Sequence, residues 1–161
     1  MVQNRSMESR VGRVKQRYGP DGSRLVAGVV AVSADRRKVL VMESTNRASH
    51  WVLPKGGYET DEARPEDAAC REAWEEAGIT GRVTRTLGEI KDPRPPNAVP
   101  KGQPRSLYYF FEFHVEREEE RWPEMHKRKR RWLTYEEASA CFLSMNRPEL
   151  KEALDRSSVL R

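Results

Sequence analysis

The stretch from Pro65 to Ala77 constrains this chain more than any other. Proline suits the first helical position, Glu66 and Asp67 suit the positive end of the helix dipole, and Gly78 suits the residue just past a helix end, so the sequence predicts a helix over 65–77. At about 100° per residue, Ala69, Cys70, Ala73, Trp74 and Ala77 share one arc, while Glu72, Glu75 and Glu76 crowd together on the other. The apolar arc is expected to pack on a sheet and to leave the carboxylates and Arg71 pointing away from it. Strands to build that sheet are at hand. The Val-rich runs Leu25 to Val32 and Lys38 to Met42 are joined by the hairpin-length segment Ser33 to Arg37, and Arg82 to Ile90 and Leu107 to Val115 read as further strands. The Pro-rich stretch Asp92 to Arg105 between the last two is too long for a simple turn and is of the kind that borders a binding site. Short helical patterns follow around Tyr135 to Phe142 and Pro148 to Leu154.

A chain of 161 residues suffices for one domain and one core. Residues 1–16 are polar without periodicity and read as a basic arm, followed by the turn-former Gly19-Pro20-Asp21-Gly22; the folded domain is expected over 17–161. The net charge of +5 sits in patches, which favours polyanions: a phosphate-rich small molecule, an anionic surface or nucleic acid. Cys70 and Cys141 lack CxxC or His-ligand spacing, so reduced thiols and a cytosolic or nuclear setting are expected. No apolar run approaches the roughly 18 residues of a membrane span, and Met1 to Arg10 has no signal-peptide core. A soluble monomer with no membrane partner is the expectation.

Glu72 lies three residues from Glu75 and four from Glu76, so both pairs are like-charged neighbours that destabilise a helix by roughly a few tenths of a kcal/mol each. A hard cation such as Mg²⁺, which takes oxygen ligands, would offset that. Upstream, Trp51-Val52-Leu53 runs into Pro54-Lys55-Gly56-Gly57, where two glycines allow close backbone approach. Together, Gly56-Gly57-Tyr58-Glu59-Thr60-Asp61-Glu62 and Arg71-Glu72-Ala73-Trp74-Glu75-Glu76-Ala77-Gly78-Ile79 resemble the Nudix box. One departure exists: eight residues, Ala63 to Cys70, separate Glu62 from Arg71, where the usual box has seven, and this bears on where Glu62 is placed. The resemblance implies a Nudix fold, with a mixed β-sheet sandwiched between α-helices (α/β, or α+β). It also implies hydrolysis of a phosphoanhydride bond. Glu72, Glu75 and Glu76 would bind Mg²⁺, with Mn²⁺ as an alternative, and one of them would activate water. Arg71 would pair with Glu62, and the Gly56 carbonyl would add a metal ligand.

The remaining notable residues are cationic. Arg17 and Arg24 flank the first turn, Arg47 precedes Trp51, Lys101 and Arg105 lie in the Pro-rich loop, and Arg128, Lys129 and Arg130 precede Trp132. Gathered around Lys55 and Gly57, with Ser44 and Thr45 as possible hydroxyl donors, they would suit a ligand with many phosphates. Within the Nudix superfamily the chain resembles the diphosphoinositol polyphosphate phosphohydrolases, through Tyr18 to Gly22, Trp51 to Gly57, Trp74 to Gly78 and the Lys-Arg-Arg-Trp ending at Trp132. That likeness implies action on diphosphoinositol polyphosphates, and also on diadenosine polyphosphates and polyphosphate. Two rival readings remain open. One is a nucleotide-directed hydrolase, for dinucleoside polyphosphates or RNA caps, with Tyr58 or Trp51 stacking on a base. The other is a non-catalytic RNA-binding module, against which the intact glutamate triad speaks.

Overall fold

A computed structural model describes residues 5–45 and 50–161. The described elements are β1 (Arg24–Val32), β2 (Lys38–Glu43), β3 (Trp51–Val52), β4 (Lys55–Gly57), α1 (Pro65–Ala77), β5 (Ile79–Lys91), β6 (Ser106–Glu118), β7 (Arg130–Thr134), α2 (Tyr135–Ser144) and α3 (Pro148–Arg156). A short 3-10 turn, Pro96–Ala98, lies in the Pro-rich stretch.

The sheet is mixed. β1 runs parallel to β6 over its whole length, from Arg24↔Ser106 to Val32↔His114. Both strands are accordingly rich in buried apolar residues, as central parallel strands are. On its other edge β1 meets β2 only at Val32↔Val39, and β4 takes its place from Val26↔Gly57 to Gly28↔Lys55. β2 carries β3 and β7 onward, and β5 completes the far edge against β6. Helices cover both faces. Gly56 faces α1, because a Cβ there would collide with the Glu72 carboxylate. Val26, Gly57 and Tyr108 share a register and point the other way, where the Tyr108 hydroxyl meets Glu149 of α3.

The α1 boundaries match the sequence expectation, and for the reasons given there. Pro65 opens the helix, Asp67 accepts a hydrogen bond from the Arg64 N–H at 3.2 Å, and Gly78 adopts a left-handed φ of 64° with its N–H on Trp74 O. Ala63 and Arg64 form a bend immediately before the helix. Among the described residues no helix is long and apolar enough to cross a membrane, and Cys70 and Cys141 are both free.

The 92–105 connection is pinned at its base. Asp92, whose side chain is 2% exposed, accepts from the Ser106 N–H at 2.9 Å, the Arg94 N–H at 3.0 Å and the Arg94 guanidinium at 2.6 Å. Burial opposes its ionisation, yet these donors hold its pKa down to about 2. Asp92→Ala should therefore lower stability by about 2–3 kcal/mol at pH 7. Because the folded-state pKa is depressed, the contribution of Asp92 is complete above about pH 5 and fades as pH falls toward 2. Urea titrations of both proteins at pH 7 and pH 3 would test this; a constant difference between them would contradict it.

Candidate active site

The acidic face of α1 is enclosed, and β4 of the sheet lies against it, which corrects the expectation that the carboxylates point away from the sheet. Glu72, Glu75 and Glu76 are 9%, 5% and 4% exposed. A helical wheel identifies the face but not what covers it, and here the cover comes from distant segments. β4 runs beneath Glu72 and Glu76, with the Lys55 N–H donating to Glu76 Oε1 at 3.2 Å. From the chain between β6 and β7, Trp122 Nε1 donates to Glu76 O, the Glu124 N–H donates to Glu75 O, and Arg128 reaches Glu76 Oε2 at 3.7 Å.

Arg71 organises this face. Its guanidinium grips Glu62 in bidentate fashion at 2.9 and 3.0 Å, and donates to Gly57 O at 2.8 Å and to Glu72 Oε1 at 3.0 Å. It also lies 3.4 Å from Glu75 Oε1. The Arg71–Glu62 pair thus forms despite the longer spacer, and it ties the glycine loop to the helix. Burial works against the Arg71 charge, but Glu62 and its neighbours hold it protonated above its usual range. Burial raises the Glu72 pKa, with the Glu76 charge adding to it; burial also raises those of Glu76 and Glu75, against the pull of Arg128 and Lys55 on the former and Arg71 on the latter. Lys55 is pushed down by burial and by Arg147.

The expected cations divide into groups. Arg24 and Lys55 lie beside the site: Arg24 Nη2 would stand 3.3 Å from a Cβ on Gly57, and Lys55 feels the charges of both Glu76 and Arg147. Arg128 joins the carboxylates themselves, pairing with Glu124 at 2.8 Å. Arg17 and Arg130 are used internally instead. Arg17 stacks over Tyr58 at 4.4 Å and donates to Glu62 O, and Arg130 stacks over Trp122 at 4.2 Å and donates to Ala77 O at the end of α1. Guanidinium groups satisfy carbonyls and aromatic faces as readily as phosphates, and both uses read alike in sequence. Arg105 donates to Arg94 O, while Lys101, Lys129 and Thr45 are exposed on the surface. The Ser44 N–H donates to His50 O, and Arg47 lies outside the described residues.

Tyr58, considered for base stacking, is 7% exposed, covered by Arg17, and donates its hydroxyl to Ala63 O. Trp51 is partly buried, with Arg131 over its ring at 5.9 Å. Sequence reasoning missed Glu124, Arg147 and Glu149. Arg147 sits at the start of α3 with Nε on Glu149 Oε2 at 2.9 Å, and Glu149 Oε1 is buried without a protein partner. The only local hints were Pro123 and Pro148 beside them. A second acidic group, Glu59, Asp61 and Glu62, has carboxylate atoms within 4.8 Å of one another, but Arg10, Lys15 and Arg71 already pair with it.

Comparison with known proteins agrees with this geometry. A family model described as the NUDIX domain matches residues 22–156. Nudix hydrolase 16, mitochondrial, of Arabidopsis thaliana is 39% identical, with 91% of this chain and 85% of that protein covered. Nudix hydrolase 4 of the same plant is 37% identical, covering 83% of this chain and 66% of that protein. The human diphosphoinositol polyphosphate phosphohydrolase 3-alpha is 30% identical, with 86% and 80% covered. Among solved structures, a NUDIX hydrolase from Nitrosomonas europaea superposes with a TM-score of 0.67 at 20% identity, covering 83% of this chain and 87% of that one, which is a likeness of fold.

Proposed function

Since this chain belongs to the Nudix hydrolase family, we propose that it cleaves a phosphoanhydride bond of a diphosphoinositol polyphosphate. Catalysis would use a divalent cation, Mg²⁺ or Mn²⁺, held by Glu72, Glu75, Glu76 and the Gly56 carbonyl. The observation that carries the cation is the enclosed charge. Glu62, Glu72, Glu75, Glu76 and Glu124 meet Arg71 and Arg128 with Lys55 alongside, five carboxyl groups against three basic ones in a site shielded from water, a formal excess of two negative charges when all are ionised. The donors are all hard oxygens, and because Gly56 has no side chain the Glu72 carboxylate lies directly against its backbone, where any Cβ would collide with it. When bound, such an ion neutralises phosphate charge and lowers the pKa of water.

The chain's own residues supply the rest. Arg71 fixes Glu72 and Glu75 on the helix and anchors the Gly57 carbonyl, so the carboxylates need no reorganisation as charge develops. A glutamate whose pKa burial has raised can hold a proton taken from water near neutral pH. Arg24 and Lys55 on the sheet, with Arg147 at the start of α3, would bind the non-reacting phosphates. The inositol substrate is favoured by these clustered cations, by the name of the human relative and by the burial of Tyr58, which removes one base-stacking surface. A cytosolic or nuclear setting is part of the proposal, supported by the free thiols. The organellar labels in the plant relatives' names belong to those proteins.

Phosphate release with Mg²⁺ from diphosphoinositol pentakisphosphate and from diadenosine hexaphosphate, at equal concentration, tests the substrate. Faster release from the inositol is expected; preference for the dinucleotide would transfer the assignment to nucleotides. A pH effect follows as well. With folded-state pKa values raised from 4.5 to about 8 and about 7, Glu72 and Glu76 make the cation-free fold lose stability as pH rises from the ordinary glutamate value through those raised values, and cation binding requires their charged forms. The rise in melting temperature on adding Mg²⁺ should therefore be larger at pH 8.5 than at pH 6; an equal rise would count against these ligands.

A further inference from the structure

The segment from Arg5 to Arg10 has no regular secondary structure, yet it lies across the outer edge of the carboxylate cluster. Trp74 Nε1 on α1 donates to Ser6 O at 2.8 Å, and the Arg5 guanidinium stands over the same indole at 5.9 Å. Ser9 Oγ donates to Glu124 Oε2 at 2.9 Å, and the Arg10 N–H donates to Glu75 Oε1 at 3.3 Å. The Arg10 guanidinium reaches on to Glu59 Oε1 at 2.6 Å and Asp61 Oδ1 at 2.8 Å. Glu75 and Glu124 are themselves joined by the Glu124 N–H on Glu75 O. Two consecutive arm residues thus occupy lone pairs on two neighbouring carboxylates, and one of those residues carries a positive charge.

We propose that Ser9 and Arg10 set the affinity of the active-site carboxylates for a divalent cation, by competing with it for Glu75 and Glu124. The inference rests on the reading that this cluster binds a cation. A carboxylate oxygen that donates to a metal ion surrenders the lone pair that now accepts from the arm, and the Arg10 charge repels an approaching cation. Cation binding therefore loosens the arm, and an arm without these donors leaves the cluster easier to load. Trp74, tied to Ser6 and Arg5, is placed to report the change.

The test is Mn²⁺ binding to the full chain without substrate, read from the electron paramagnetic resonance of free Mn²⁺, with Trp74 emission followed in parallel. Ser9→Ala/Arg10→Ala removes the Ser9 donor to Glu124 and the Arg10 ion pairs to Glu59 and Asp61 that hold the Arg10 backbone N–H on Glu75. It is expected to bind Mn²⁺ about tenfold more tightly than the wild type, the scale of losing one hydrogen bond to a charged group. Its emission before addition should resemble that of the Mn²⁺-loaded wild type, and Trp74→Phe should abolish the emission change. Ser9→Ala alone, which keeps the Arg10 ion pairs and so the fold, should show a smaller tightening in the same direction. Arg13→Ala controls for removing an arm charge. Equal or weaker binding by the Ser9 and Arg10 variants, or the same tightening in Arg13→Ala, would overturn the competition while leaving the cation site standing. No binding by any protein would overturn both.

Discussion

Glu76→Gln should lower kcat for phosphoanhydride hydrolysis by about a thousandfold while leaving the melting temperature unchanged or higher. The two effects have one origin. Glu76 is buried against β4, and burial is the largest influence on its carboxylate, ahead of the Arg128 and Lys55 charges that favour the ionised form. Glutamine keeps the shape and still accepts from the Lys55 N–H. It removes a buried charge, and with it the repulsion that helps to raise the Glu72 pKa. A residue kept at a cost to stability is the mark of a functional site. The activity loss should appear in kcat more than in KM, because the cation's ligands act on charge that develops during reaction. Steady-state kinetics beside a thermal melt check both halves; retained activity with lost stability would make Glu76 structural.

Arg71→Ala should be the most destabilising single substitution among the site residues, by about 3–5 kcal/mol, because it strands buried carboxylates. The Arg71 side chain is 13% exposed and Glu62 beside it 8%, and the bidentate grip on Glu62 is the pair's principal neutralisation. Loss of the guanidinium also frees the Gly57 carbonyl and leaves Glu72 and Glu75 without their nearest cation. Arg71→Lys should recover only part of the loss, since an ammonium cannot reproduce the planar fork. Adding Glu62→Gln to Arg71→Ala should restore stability relative to Arg71→Ala alone, because the orphaned charge is gone. Urea denaturation of the four proteins reads this directly. A loss under about 1 kcal/mol for Arg71→Ala would mean that water reaches these carboxylates.

The parts of the molecule that were legible in sequence are those set by local chemistry. α1 runs from Pro65 to Ala77 as the proline, the acidic first turn and Gly78 dictate, and β1 and β2 follow their Val-rich runs closely. β3 and β4 span only Trp51–Val52 and Lys55–Gly57 and carry no alternation; they are strands because β2 and β1 offer them edges. β7 was hidden within the basic run, and its register against β2, Val39↔Leu133 and Met42↔Arg130, is a tertiary fact. The site divides in the same way. Helical spacing placed Glu72, Glu75 and Glu76 together, but Glu124 and Ser9 approach them from segments far off in sequence. Nothing in the composition of those segments announces this. Likewise a basic residue in sequence gives no sign of whether it turns to the carboxylates, as Arg128 does, or to a carbonyl and an indole, as Arg130 does.

The enclosed carboxylates of α1 are proposed to hold a divalent cation that would activate the water that cleaves a phosphoanhydride bond. The most direct measurement is phosphate release from diphosphoinositol pentakisphosphate as Mg²⁺ is titrated into metal-free protein, with Glu76→Gln alongside. Release is expected to rise from nil to saturation with Mg²⁺ in the wild type and to stay near background in the variant. Release that persists in chelator, or that the variant matches, would contradict it.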